Sequence, residues 1–173
     1  MKHLHPKAVW LFFWSFLFRS FFIILFISIW LGSLFVNLLT GEEGNLRPLI
    51  IYFLPSFFFL LAFFVLFIYF WAVWTYNNYK YQLTENVVKI ERGVIAKKYS
   101  SVPYERIQNV DIHRGIIARL LGLSDLQIQT AGYSGYSRRG IATEGRLPGL
   151  DPQIAEQLQE ELITRAKGTK QGL

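Results

Sequence analysis

The sequence predicts a membrane protein of mixed class, in which two transmembrane helices precede an antiparallel β domain that ends in a helix. Two uncharged apolar runs, residues 21–39 and 49–74, predict the helices. About 20 apolar residues of helix are needed to cross the hydrocarbon core of a bilayer. The β domain is predicted because short runs of alternating apolar and polar residues, separated by turn residues, follow Tyr76.

These runs divide the chain into six segments. The first apolar run is too long for a removable signal peptide, and no small-residue cleavage site follows it, so we expect it to be retained. The predicted segments are a cytoplasmic or interfacial N-terminal segment (1–20), transmembrane helix 1 (21–39), an external loop (40–48), transmembrane helix 2 (49–75), a cytoplasmic domain (76–167) and a flexible tail (168–173).

The distribution of charge predicts the orientation of the two spans. The short link between them holds Glu42 and Glu43 and a single cation, Arg47. Both outer flanks are richer in cations, and Lys and Arg near span ends favour the cytoplasmic side. We therefore expect a multi-pass protein of the plasma membrane with both termini in the cytoplasm. The cations of the flanks are Lys2, Lys7, Arg19, Lys80, Lys89 and Arg92.

The cytoplasmic domain is predicted to contain mostly strands. A short helix at 115–121 is expected to end at Gly122, and Asp151 with Pro152 is a typical start for the last helix. Because Pro148 and Gly149 are turn residues, a turn is expected there. The predicted strands are residues 79–84, 87–92, 94–102, 106–113, 123–131 and 141–147.

Composition excludes several classes of function. The chain has no cysteine, which rules out disulfides, thiolate catalysis and cysteine-type zinc sites. Residues 75–173 carry 14 Lys and Arg against 10 Asp and Glu, a net charge of +4. This mild excess suits a surface that faces anionic lipid, but it is too small to predict a nucleic-acid partner.

Catalytic signals are weak. No phosphate-binding loop, nucleophile elbow or zinc-protease motif is present. His113 and Asp111 share one face of a predicted strand and are interpreted as a surface pair, although a hydrolase or transferase centred on them is one alternative. His3 and His5 are not interpreted as a metal site. We therefore predict a protein that is not an enzyme, with no catalytic residues, no cofactor and no metal.

Basic and aromatic residues of the domain are the candidate contacts for lipid or a partner. A Lys or Arg beside the membrane contributes about 1 kcal/mol of attraction to anionic headgroups. Two pairs of cations stand out, one after a predicted strand start and one in the loop at 132–140, where two tyrosines precede it. The candidate residues are Lys97, Lys98, Arg106, Tyr133, Tyr136, Arg138 and Arg139.

Several segments in combination resemble the bacterial pleckstrin-homology (PH) domain family, in its membrane-flanked, YdbS-like form. The segments are YQLT at 81–84, the strand at 87–93, VPYERIQNV at 102–110, RGIIARLLGL at 114–123, LQIQTAG at 126–132 and LPGLD at 147–151 with the helix after it. The resemblance implies a curved PH-like sheet capped by the C-terminal helix.

The same resemblance implies a function of interaction rather than catalysis. We expect the PH-like domain to be a membrane-apposed interaction or assembly module, with a role in envelope maintenance or in resistance to membrane-active peptides. The expected partners are the lipid bilayer and a paralogous membrane protein with several PH-like copies, or a second copy of this chain. Anionic-lipid sensing or lipid handling is the alternative.

Overall fold

The computed structural model describes residues 2–40, 51, 54–130, 136–137, 140–141 and 145–171. They form two compact units. One is residues 13–72, and the other combines residues 1–12 with residues 73–173.

Two long helices confirm the predicted apolar elements. Helix α1 spans Ala8–Thr40 and helix α2 spans Leu54–Asn77. By length and composition, both are apolar enough to cross a membrane. Helix α1 begins within the segment predicted as 1–20, because the residues between Ala8 and Arg19 are also apolar and contain no helix breaker.

The unit of residues 13–72 contains most of both helices. On α1, Ile24 and Ser28 are buried, and on α2 Ile68 is buried. The rings of Phe13 and Tyr69 meet edge to face with centroids 6.3 Å apart. Large apolar side chains cover the exposed surface of the helices, among them Phe22, Phe26, Phe59, Phe63 and Phe70. Such a continuous apolar surface is typical of contact with lipid or another protein.

The second unit holds two antiparallel sheets. The first has the order β1-β2-β3-β4 and the second the order β5-β6-β9, while β7 and β8 pair separately. The strands are β1 Lys2–His3, β2 Lys80–Leu83, β3 Val87–Arg92, β4 Lys98–Pro103, β5 Ile107–His113, β6 Ser124–Thr130, β7 Tyr136–Ser137, β8 Gly140–Ile141 and β9 Gly145–Leu150. A 3₁₀ turn covers Tyr104–Arg106, helix α3 covers Ile116–Leu120 and helix α4 covers Pro152–Gln171.

The structure differs from the strand predictions at two places. Strand β4 starts at Lys98 rather than at residue 94, because Gly93 (φ +113°) opens a turn. The last strand runs on to Leu150 and includes Pro148 and Gly149, which were predicted as a turn. A register shift opposite Ser124–Leu126 accommodates these two residues in an edge strand.

The core of this unit lies between the two sheets and α4. Val88 of the first sheet and Leu126 and Ile128 of the second are buried in it. Helix α4 contributes the buried residues Ala155, Leu158 and Leu162. Their spacing of three and four residues puts them on one face of the helix. The helix therefore closes the core as its amphipathic pattern predicts.

The segment before α1 is part of this core, which the sequence did not predict. Strand β1 pairs with β2, and the side chains of Leu4 and Ala8 are buried with the sheet residues. The His5 amide donates to the Gly149 carbonyl at 3.1 Å, and the Tyr76 hydroxyl donates to the Leu4 carbonyl at 3.3 Å. The N-terminal segment and the start of α1 thus complete a domain whose remaining residues begin in the last turns of α2.

Candidate interaction surface

The β3–β4 hairpin carries two of the predicted contact residues, Lys97 and Lys98. Gly93 opens its turn with a positive φ, and a β-carbon there would lie 2.1 Å from the Ala96 carbonyl oxygen. The turn therefore requires glycine. Beyond it, Lys97 and Lys98 are exposed, and so are Ile95 (84%) and Tyr99 (65%). We call Ile95, Lys97, Lys98 and Tyr99 the hairpin surface.

The outer face of the first sheet continues this surface. Lys80, Glu91 and Tyr99 are opposite one another on three successive strands. The Tyr99 hydroxyl bonds to the Glu91 carboxylate, and this bond and the negative charge raise the pKa of Tyr99 above its ordinary value. A polar hollow of about 30 Å³ beside this row is lined by Asn78, Lys80, Glu91, Arg92 and Lys97. Three cations therefore meet around one carboxylate.

Arg106 lies apart from the two lysines. It is exposed in the 3₁₀ turn that follows the far end of β4. The buried residue of this turn is Tyr104, whose hydroxyl donates to the Thr84 carbonyl at 2.8 Å. The Arg165 guanidinium lies 5.4 Å from the centroid of that ring and donates to the same carbonyl at 3.1 Å. The turn therefore fixes α4 to the first sheet.

The predicted contacts in the loop at 132–140 fall mostly outside the described residues. This holds for Tyr133, Arg138 and Arg139. Tyr136 is described in its backbone alone, as the first residue of β7, where it pairs with Ile141 of β8. The contact role predicted for these four residues stays a prediction.

The comparison with protein-family models decides the family. The model described as "Bacterial PH domain" matches residues 20–166, which is most of the chain. The chain belongs to the bacterial PH domain family. No curated protein and no solved structure gives a significant match to it.

Inside the PH domain, Asp111 and His113 do not form an acid–base pair with each other. The Asp111 carboxylate instead accepts hydrogen bonds from Asn109 at 2.9 Å and from Gln129 at 2.7 Å. His113 lies opposite Asp125 in the sheet and is exposed. These hydrogen bonds from side-chain amides hold Asp111 in the polar face of the second sheet. Within the described ranges, no three His, Asp or Glu side chains lie close enough to hold a metal ion.

An ion pair between a buried carboxylate and a half-exposed arginine, which the sequence did not predict, holds the last strand of the PH domain. The carboxylate of Asp125 on β6 accepts from the Gly149 amide at 3.0 Å and from the Arg146 guanidinium at 2.5 Å. The Tyr79 hydroxyl donates to the Arg146 carbonyl. Burial raises the pKa of Tyr79, and the nearby Arg92 partly offsets that rise. This network positions Gly149, the residue that receives the N-terminal segment.

The exposed apolar residues of the PH domain were also missed. Ile95, Ile116 and Leu120 are each more than four-fifths exposed. They lie in runs predicted as a strand (94–102) and a short helix (115–121), where an apolar residue is normally buried. The short runs that contain them give no signal that separates an inward from an outward apolar side chain. Such residues are candidate contact points of an interaction domain.

Proposed function

We propose that the chain is a non-enzymatic integral membrane protein whose PH domain is a membrane-apposed interaction and assembly module. In this proposal, α1 and α2 cross the plasma membrane, and both termini and the PH domain lie in the cytoplasm. The charge pattern of the flanks supports this orientation. A reporter fused after Leu173 is expected to be active in the cytoplasm, and activity outside the cell would contradict it.

One end of each long helix belongs to the same compact unit as the two sheets, and this observation carries the proposal. The start of α1, through Phe12, and the end of α2, from Val73, belong to the same compact unit as the sheets. Ala8 at the start of α1 is fully buried in the core of the PH domain. A domain on one flexible tether could move away from the bilayer, whereas two core attachments keep the PH domain at the membrane surface.

The hairpin surface is the part of the PH domain that we assign to partner contact. Among the described strands, β4 lies at the edge of the first sheet, and edge strands are frequent sites of strand pairing between proteins. The exposed Ile95 before the strand and Tyr99 within it add apolar area, which interfaces concentrate at their centres. The proposed partner is a paralogous membrane protein with several PH-like copies, or a second copy of this chain. Either would present its own strands at a similar height above the bilayer.

Co-purification in mild detergent tests the assembly proposal. The wild-type chain is expected to be recovered with a membrane protein that carries PH-like copies, or as an oligomer after crosslinking. Ile95→Asp combined with Tyr99→Ala is expected to reduce that recovery strongly. Ile154→Asp, at a partly exposed apolar residue of α4, is the matched control and is expected to have no effect. Recovery of the wild-type chain as a monomer without a membrane-protein partner would contradict the proposal.

Anionic-lipid sensing or handling is a second candidate, supported by the polar hollow. Lys80, Arg92 and Lys97 line it, and Asn78 in its wall is the residue directly after α2. Three cations at the base of a predicted span are well placed for a phosphate headgroup. The full chain is expected to retain phosphatidylglycerol during purification. Lys80→Gln with Lys97→Gln should reduce the retained lipid several-fold, whereas Lys167→Gln should not.

Resistance to membrane-active peptides, or envelope maintenance, is the biological role that we propose for such a module. Support for it comes from the family resemblance and from the proposed place at the membrane. A deletion strain is expected to be more sensitive to cationic peptides than its parent. Restoration by the wild-type gene but not by the Ile95→Asp, Tyr99→Ala variant would connect the role to the hairpin surface.

A further inference from the structure

Helix α3 presents an exposed apolar face. Its Ala118 is buried in a small cluster with Leu11 and Leu123. Ile116 and Leu120, four residues apart, lie on the opposite side and are 81% and 83% exposed. Two large apolar side chains directed into water are unfavourable, because each leaves most of its apolar surface hydrated.

The contact with Leu11 shows which part of helix α1 lies beside α3. Leu11 is in the second turn of α1, the helix that runs on to Thr40. Trp10 and Trp14, on either side of it in sequence, are both exposed. Tryptophan is enriched where a membrane helix passes through the headgroup layer. Helix α3 therefore packs against α1 at the level of its tryptophans.

We propose that Ile116 and Leu120 insert into the headgroup–acyl boundary of the bilayer that receives α1 and α2, so that α3 is an interfacial anchor of the PH domain. This inference rests on the membrane insertion in the proposed function. Interfacial helical segments bury their apolar side about 5–10 Å into this boundary and carry cations beside it. The exposed Arg119 next to Leu120 and the exposed Lys7 just before α1 supply such cations. Trp10, exposed and next to Leu11 on α1, is a residue type enriched in the headgroup layer, which favours lipid over a protein as the occupant of this face.

Depth-sensitive labelling of the full chain tests the anchor. Because the chain has no native cysteine, Ile116→Cys and Leu120→Cys each create a single labelling site for an environment-sensitive fluorophore. The protein is reconstituted alone into vesicles of phosphatidylcholine and phosphatidylglycerol, and quenching is compared for a lipid-borne nitroxide and a water-soluble quencher. Ile95→Cys, equally exposed on the hairpin, is the matched control, and Phe22→Cys in α1 reports on membrane insertion.

The labels at 116 and 120 are expected to be quenched several-fold more by the lipid nitroxide than the label at 95. Quenching of the 116 and 120 labels from water, with the label at 22 quenched from lipid, would overturn the anchor and leave the proposed insertion standing. Shielding of the 116 and 120 labels from both quenchers would overturn it in favour of contact with a second copy. If the label at 22 is also unquenched by lipid, membrane insertion and the anchor fail together.

Discussion

Ala8 and Gly149 lie in direct contact, at the point where the first helix begins against the last strand of the PH domain. A β-carbon added to Gly149 would lie 2.5 Å from the β-carbon of Ala8, closer than any ordinary contact. Gly149 also has a φ of +66°, a conformation that side chains disfavour. The pair therefore joins the N-terminal segment to the sheets without space for a further methyl group.

Gly149→Ala is expected to destabilise the protein by about 1–3 kcal/mol, because overpacking and backbone strain act together. The measurement is thermal unfolding of the full chain in detergent, followed by tryptophan fluorescence. Gly168→Ala is the control, since a β-carbon there meets open space on α4. It should leave stability unchanged or raise it by up to about 1 kcal/mol. Equal midpoints for the two variants would show that the contact with Ala8 is not tight.

Asp125→Ala is expected to lower the free energy of unfolding by about 2–4 kcal/mol, because it removes the acceptor of the Gly149 amide and the partner of Arg146. The Arg146 side chain is half exposed and can turn to water, which limits the loss. Glu156→Gln is the matched control, since its pair with Arg114 is long at 3.5 Å and exposed. That change should cost less than about 1 kcal/mol. The free energies come from chemical denaturation, and a small loss at Asp125 would mean that the pair contributes little.

The double variant Tyr104→Phe, Arg165→Gln is expected to lose more stability than the sum of the losses in the two single variants. Both side chains donate to the Thr84 carbonyl, so each single variant leaves one donor in place. The double variant removes both donors and the contact of the guanidinium with the ring. A coupling energy of about 0.5–2 kcal/mol is expected in a double-mutant cycle measured by denaturation. Simple additivity would argue against a shared acceptor.

Alkaline pH is expected to destabilise the PH domain through Tyr79. Burial raises the pKa of this phenol above its usual 10.0. Its contribution to stability is thus complete below pH 10 and is lost above it, since the unfolded state ionises first. Tyr79→Phe should lower stability at neutral pH, because the bond to the Arg146 carbonyl is lost, yet flatten the decline of stability above pH 10.

Tyr99→Phe is the control for this pH dependence. The pKa of Tyr99 is also raised, but Glu91 is the main cause and the side chain is exposed to solvent. Solvent screens that interaction, so the alkaline slope should change less than in Tyr79→Phe. A steeper decline in Tyr79→Phe than in the wild-type chain would contradict the burial of a neutral phenol.

The architecture was predictable because hydrophobic periodicity reports local structure well. The uncharged runs gave both long helices, and the alternation at residues 87–92 and the cap at Asp151 matched β3 and α4 closely. Errors arose where a contact distant in sequence decides the conformation. Pro148 and Gly149 are turn residues by propensity, but the bond from Gly149 to Asp125 and the register shift keep them in β9.

The candidate site was less predictable, because exposure is a property of the folded surface. The sequence predicted Lys97 and Lys98 as contacts, whereas Ile95 and Tyr99 beside them look like ordinary strand residues. Arg106, a separate candidate, lies at the far end of β4 from the two lysines. The sequence also did not predict that Leu4 and Ala8 are core residues of the PH domain. A strand of two residues, Lys2–His3, is too short to produce a periodic pattern.

The pairing of β1 with β2 can form only after both long helices have been synthesised. Residues 2–7 leave the ribosome before either long helix, but their hydrogen-bonding partners, Tyr81 and Gly149, emerge only after both helices are made. In the proposed topology, the early segment stays unpaired on the same side of the bilayer until the later domain has been made. Delivery of that segment to the opposite side would leave the PH domain without one edge strand of its sheet and without part of its core. The PH domain can therefore fold completely only when the first helix has the proposed orientation.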